Sequence, residues 1–138
     1  MRNKRALIIV AALVTCLAIG SAEVASAKLK KKKIPTTISL AVNITHASPY
    51  APYTPASTTF SGNVFAKGPS GCRKGRTVTV STVGPTLTDS NGHYSISVPY
   101  VAPPGTYTAS VAKRVIVKKK KGKKFICKKA VSPPVTVP

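Results

Sequence analysis

The chain has 138 residues, with 22 Lys and Arg against two acidic residues, a formal net charge of +20 and 43% apolar content. That length holds one domain and something short. The charge speaks to solubility, attraction to polyanions and association rates rather than to fold, and acid–base catalysis by a carboxylate pair is excluded once a leader holding Glu23 is removed, leaving Asp89 alone.

The amino end accounts for the short part. Met1-Arg2-Asn3-Lys4-Arg5 is basic, Ala6 to Ile19 is almost wholly apolar, and Ala25-Ser26-Ala27 puts small residues at −3 and −1. The pattern predicts a secretory signal peptide over 1–27, cleaved after Ala27. An apolar run of about fourteen residues is short of the roughly 18–20 that cross a bilayer, so no membrane-spanning segment is expected in the mature chain. Cys16 raises a lipid-anchor reading, but Thr15 before it is larger than the usual Gly or Ala, and Ala25-Ser26-Ala27 is the better site. Cleavage leaves 111 residues, carrying 19 basic side chains against Asp89 alone. A chain of that size buries a modest core, and small exported domains commonly add a disulfide. Cys72 and Cys127 are the two cysteines left, the right number for one bridge.

In the mature chain, Lys28 to Lys33 holds only Leu29 between lysines, and like charges in a run repel, so residues 28–35 read as a disordered basic arm. The β domain then occupies 36–138. Ile38, Leu40, Val42 and Ile44 alternate with polar or small residues at period two, which predicts a half-buried strand. His46 to Ser57 carries Pro49, Pro52 and Pro55 around Tyr50 and Tyr53 and reads as an extended connector, because proline removes ladder donors and fixes φ. Phe60, Gly62 and Val64 share a face of the second strand, where the glycine suggests a bulge or close packing. Val78 and Val80 mark the third strand and Gly84-Pro85 a break, before a short strand about Leu87.

Asp89, Asn91 and Gly92 then form a turn signal, since aspartate caps backbone amides and glycine accepts positive φ without steric cost. Tyr94, Ile96 and Val98 make the next strand. A long sixth strand runs from Tyr107 through Ala109 and Val111 to Val115-Ile116-Val117, which reads as core. Gly122 within Lys118 to Lys124 is a hairpin tip, Phe125-Ile126-Cys127 returns, and Val131, Val135 and Val137 finish on an edge guarded by Pro133-Pro134. No stretch has the i, i+3, i+4 apolar recurrence of an amphipathic helix. The class is all-β, a small β-sandwich stapled by one disulfide.

Phe60-Ser61-Gly62-Asn63-Val64, then Thr88-Asp89-Ser90-Asn91-Gly92-His93-Tyr94, then Pro104-Gly105-Thr106-Tyr107 together resemble the carboxypeptidase regulatory-like domain family, whose usual marks are the Thr-Asp-x-x-Gly-x-Tyr hairpin and the Pro-Gly-x-Tyr strand entry. The resemblance covers roughly Thr58 to Val137. It implies a transthyretin-like or immunoglobulin-like sandwich of about seven antiparallel strands and no catalysis of its own. The added Cys72-Arg73 and Cys127-Lys128-Lys129-Ala130-Val131-Ser132 pattern resembles lysine-rich secreted proteins of actinobacteria.

Candidate chemistry is thin. Asp89 and His93 flank one turn, and with a serine they could be drawn as a triad, but that needs a buried acid and an oxyanion hole. Asp89-Ser90-Asn91-Gly92 starts like a calcium loop and lacks the closing glutamate. Cys72, Cys127, His46 and His93 match no zinc-ligand spacing. The sequon Asn43-Ile44-Thr45 sits mid-strand behind a bacterial-looking leader. No catalytic residue, metal or cofactor is expected.

What exceeds the needs of a fold is lysine: Lys30, Lys31, Lys32 and Lys33, then Lys118, Lys119, Lys120, Lys121, Lys123 and Lys124. One reading is solubility and protection of strand edges. The other is contact with an anionic polymer, such as teichoic acid, acidic polysaccharide, lipid headgroups or extracellular DNA. Lysine is a hydrated point charge rather than a fork, and no aromatic platforms interleave with the runs, so no specific nucleic-acid readout is expected. These features predict a non-enzymatic secreted module associating with the anionic cell envelope. The alternative is a cationic effector of membranes or nucleic acid, which would need an apolar face beside the lysines.

Overall fold

The computed structural model describes residues 28–138; the expected signal peptide, the expected cleavage after Ala27 and the reading of Cys16 lie outside the described residues. The strands in chain order are β1 (Lys30–Ile34), β2 (Thr36–Ile38), β3 (Ala41–Thr45), β4 (Ser57–Ala66) and β5 (Thr77–Val80). Then come β6 (Gly84–Leu87), β7 (His93–Val98), β8 (Gly105–Tyr107) and β9 (Ala109–Val111). The last are β10 (Arg114–Lys118), β11 (Lys123–Cys127), β12 (Ala130–Val131) and β13 (Val135–Val137). The described chain is all-β apart from two 3-10 turns, and none of its helices is long and apolar enough to cross a membrane.

The ten-residue β4 organises the first sheet. Its alternation turns Thr58, Phe60, Gly62, Val64 and Ala66 inward. β2 and β3 pair antiparallel along one side of it and β7 along the other. The period-two strand read from Ile38 to Ile44 is thus present but interrupted between β2 and β3. There the Ser39 hydroxyl accepts from Asn63 N–H at 3.0 Å, and the Ser39 carbonyl accepts from the Tyr94 hydroxyl at 2.5 Å. Gly62 is the close-packing case, not a bulge: a Cβ there would run into that Ser39 carbonyl and the Tyr94 hydroxyl.

The second sheet has the order β12-β9-β5-β6, with β13 and β8 paired in continuation of β12 and β9. Ile38, Phe60, Val64 and Tyr94 of the first sheet form one buried cluster with Val78, Val80, Tyr107, Ala109, Val111 and Val137 of the second. The Phe60 and Tyr107 rings meet across the layers at 5.0 Å between centroids. Each buried Val, Ile or Phe among them contributes about 1.5–3 kcal/mol by leaving water.

A third sheet, β1-β11-β10, stands beside these two. Its own cluster is Ile34, Ala66, Cys72 and Cys127, with Ile116 and Phe125 packed on it. The Cys72–Cys127 disulfide lies inside that cluster, closing Cα atoms to 5.4 Å.

Four expectations need correction. The basic arm at 28–35 is ordered from Lys30 to Ile34, as a strand parallel to β11. Strand pairing uses backbone groups, alternation sends the lysine side chains to both faces, and Ile34, 1% exposed, anchors the end in the second cluster. The long sixth strand is three strands: β8 and β9 belong to the second sheet, and the chain leaves it at Ala112-Lys113 to start β10 elsewhere. Val115 and Val117 are accordingly 45% exposed each rather than core, and only Ile116 between them packs inward. Gly84-Pro85 begins strand β6 instead of breaking it, because proline is tolerated on an edge where no N–H is required. The reversal comes earlier, at Thr82, which takes a left-handed φ of 61°. The His46–Ser57 stretch is a connector up to Ala56, with a cis Ala51–Pro52 bond and Tyr50 and Tyr53 exposed.

Candidate functional site

β11 is the middle strand of the third sheet, so its two registers decide which side chains share a face. Lys30 stands opposite Lys123 on one side, and Lys118 opposite Lys123 on the other. Partners in register project to the same face at about 4.8 Å between strands, so Lys30, Lys123 and Lys118 form a row of three lysines across three strands. On the opposite face the rows are Lys31–Lys124–Val117 and Lys33–Ile126–Val115. Lys32 returns to the first face, in the row with Phe125 and Ile116.

The loop that joins β10 to β11 carries the remaining lysines. Lys119, Lys120 and Lys121 form an exposed 3-10 turn, which closes on Gly122 with a left-handed φ of 56°. The Lys30 N–H donates to the Gly122 carbonyl at 2.9 Å, which ties the first strand to this tip. The Lys118 ammonium stands 5.9 Å from the Phe125 ring centroid. The two lysine runs, separate in sequence, therefore meet in one sheet and its tip, with lysines on both faces.

Like charges directly opposite each other weaken a sheet. Here the described residues supply one carboxylate side chain, Asp89, and it is engaged in a turn of its own. Asp89 Oδ1 accepts from Asn91 N–H at 2.8 Å and His93 N–H at 2.9 Å. Those two bonds hold its carboxyl below the usual aspartate range. Gly92 completes the turn with φ 90°. With Asp89 spent on backbone amides, no triad is assembled; His93 and His46 are exposed. Among the described residues no group of three His, Cys, Asp or Glu side chains could hold a metal ion. A cleft of about 320 Å³ at the end of the two layers is lined by groups that include Phe60, Tyr100, Tyr107 and Thr82, with no carboxylate, histidine or cysteine.

The lysine sheet is fastened at its base by arginines that sequence reasoning did not single out. Arg76 is 2% exposed, and its guanidinium donates to the carbonyls of Cys72 at 2.8 Å, Ala112, and Lys128 at 3.4 Å. Those carbonyls lie beside the disulfide, before β10 and after β11. One buried fork thus clamps both ends of the hairpin to the domain. Burial, and next to it the charge of Arg114, lowers the Arg76 pKa. Arg114 itself caps a ring of carbonyls, from Gly71, Lys74 and Gly75, at 3.2, 3.0 and 3.1 Å. The alternation held a clue: Arg76 is in phase with the inward Val78 and Val80.

No family model, no curated protein and no solved structure matches this chain.

Proposed function

We propose that the protein is a non-enzymatic, secreted interaction module whose lysine sheet binds anionic polymers of the cell envelope. The observation that carries this reading is the Lys30–Lys123–Lys118 row, a cross-strand stack of like charge with no acidic side chain in the sheet. An external polyanion would supply the missing countercharge and release its own counterions in doing so. The buried disulfide supports an oxidising compartment, in keeping with export.

The fold belongs to the same proposal. When β2 with β3, β8 with β9, and β12 with β13 are each taken as one interrupted strand, the two facing sheets hold seven strands. That count supports an immunoglobulin-like or transthyretin-like sandwich, with the carboxypeptidase regulatory-like resemblance lying in its turns. The lysine sheet is then an addition to it, made from the β10–β11 hairpin and the strand ahead of the sandwich.

The test is retention on purified cell wall and on heparin across a salt series. Wild type is expected to show log K falling linearly with log salt. Replacing Lys118, Lys119, Lys120 and Lys121 by Ser should flatten the slope, and so should Ser at Lys30, Lys31, Lys32 and Lys33, because both sets belong to one sheet and its tip. Equal retention of all three proteins would reduce the lysines to solubilising charge.

A further inference from the structure

One face of the lysine sheet is not purely cationic. Val115 and Val117 are each 45% exposed, and Ile126 between the strands is half-buried yet belongs to neither core cluster. Register places these three with Lys31, Lys33 and Lys124 on the face turned away from the disulfide cluster. The distribution is graded. The β10 column is Val115 and Val117, the β11 column Ile126 and Lys124, and the β1 column Lys33 and Lys31. Val117 also borders a groove whose other walls are Lys118 to Lys121.

We infer that this face docks on an anionic lipid bilayer. A hydrated polymer such as heparin or teichoic acid would satisfy the lysines and leave the valines with no apolar partner. A second copy of the chain would cover the valines but set Lys31, Lys33 and Lys124 against another lysine-rich face. A bilayer with acidic headgroups answers both halves: phosphates meet the ammonium groups while the valines and Ile126 enter the border of the acyl region, as the apolar side of an interfacial element does. Exposed apolar side chains gathered into one patch and rimmed by charge are the usual mark of such a contact. The inference rests on the reading of the sheet as anion-binding, and assigns an acidic lipid surface to the face opposite the Lys30–Lys123–Lys118 row.

The experiment compares the protein, purified as the producing cell makes it, with the variant V115S/V117S. Both are co-sedimented with vesicles of phosphatidylglycerol and phosphatidylcholine in equal parts, with phosphatidylcholine vesicles alone, and both are passed over heparin. Both valines are surface residues, and an unchanged melting temperature verifies that the variant is folded. Wild type should bind the acidic vesicles and not the neutral ones. The variant should lose about tenfold or more in vesicle binding, from the apolar area withheld, while keeping its heparin retention. Equal vesicle binding by the two proteins, or heparin retention without vesicle binding, would overturn the bilayer and leave the polyanion reading standing. Loss of heparin retention in wild type as well would remove both. A wild-type dimer in solution that the variant does not form would show that a second copy covers the face, and would also overturn the inference.

Discussion

The carbonyl of Val64 occupies the space that a side chain on Gly92 would need. Val64 N–H donates to the Gly92 carbonyl at 2.8 Å, and a Cβ built on Gly92 would lie 2.5 Å from the Val64 oxygen. The turn after Asp89 is therefore locked onto the carboxyl-terminal part of β4 from both directions. Gly92→Val would add a left-handed φ that a β-branched residue resists, at roughly 1–3 kcal/mol, to that collision. We expect a clear fall in melting temperature, larger than for any single surface lysine. An unchanged melting temperature would show that β4 can move away from the turn.

The clamp at Arg76 is a second point of leverage. Arg76→Lys keeps the charge and loses the fork, so the carbonyls of Cys72, Ala112 and Lys128 cannot all keep a donor, at about 1–3 kcal/mol for a buried one left unpaired. Arg114→Lys, at an exposed site, should cost far less. Urea denaturation of both variants separates them, and equal midpoints would contradict the clamp.

Reduction should act on the same region. The Cys72–Cys127 bridge spans a sequence separation of 55 residues. Chain entropy for a loop of that size is worth on the order of 4 kcal/mol, a large share of what a small domain has in hand. Replacing both cysteines with Ser should lower stability by about that amount, read as a shift in the urea midpoint. Two free thiols in unreduced protein, found by mass spectrometry, would refute the bridge.

Alkaline pH offers a fourth test. Burial raises the Tyr94 hydroxyl from an ordinary 10.0 to about 12. A folded pKa above the unfolded one means the unfolded chain loses its proton first. Tyr94 therefore supports the fold fully below pH 10, and that support drains away as pH climbs from 10 toward 12. Tyr94→Phe should be less stable at neutral pH, having lost the bond to the Ser39 carbonyl, yet show a shallower decline over that interval. Parallel declines in the two proteins would place the alkaline sensitivity elsewhere.

Much of the core could be read from the chain because alternation is a local signal. Phe60 and Val64, Val78 and Val80, and Tyr107, Ala109 and Val111 all turn inward in the phase their spacing predicts. The disulfide followed from counting cysteines. The parallel pairing of Lys30–Ile34 with Lys123–Cys127 had no such signature. A run of lysines reads as solvated because its side chains are, while the hydrogen bonds that order it depend on a backbone far away in sequence. The Val115-Ile116-Val117 run misled for a different reason. Three consecutive apolar residues do not reveal which phase faces in, and Gly71 and the disulfide cluster, not the main core, select Ile116. Thr82 at positive φ is legible from no residue type, since a β-branched side chain argues against that conformation.

The pairing of β1 with β11 also imposes an order of events. A polypeptide emerges amino end first, so Lys30 to Ile34 must wait until the last quarter of the chain, Lys123 to Cys127, has arrived before finding its neighbour. With β2 paired to β4 and Cys127 held by the disulfide, only Pro35 separates β1 from fixed backbone, so what opposes its docking is the repulsion of facing lysines rather than loop closure. β1 therefore pairs with backbone that the chain delivers late, and it is held there at both ends, by Ile34 in the disulfide cluster and by the Lys30 bond to Gly122. The β10–β11 hairpin beneath it stays riveted by the disulfide and Arg76. A partner that neutralises the lysines would remove the repulsion between facing strands and so tighten the very sheet that holds it.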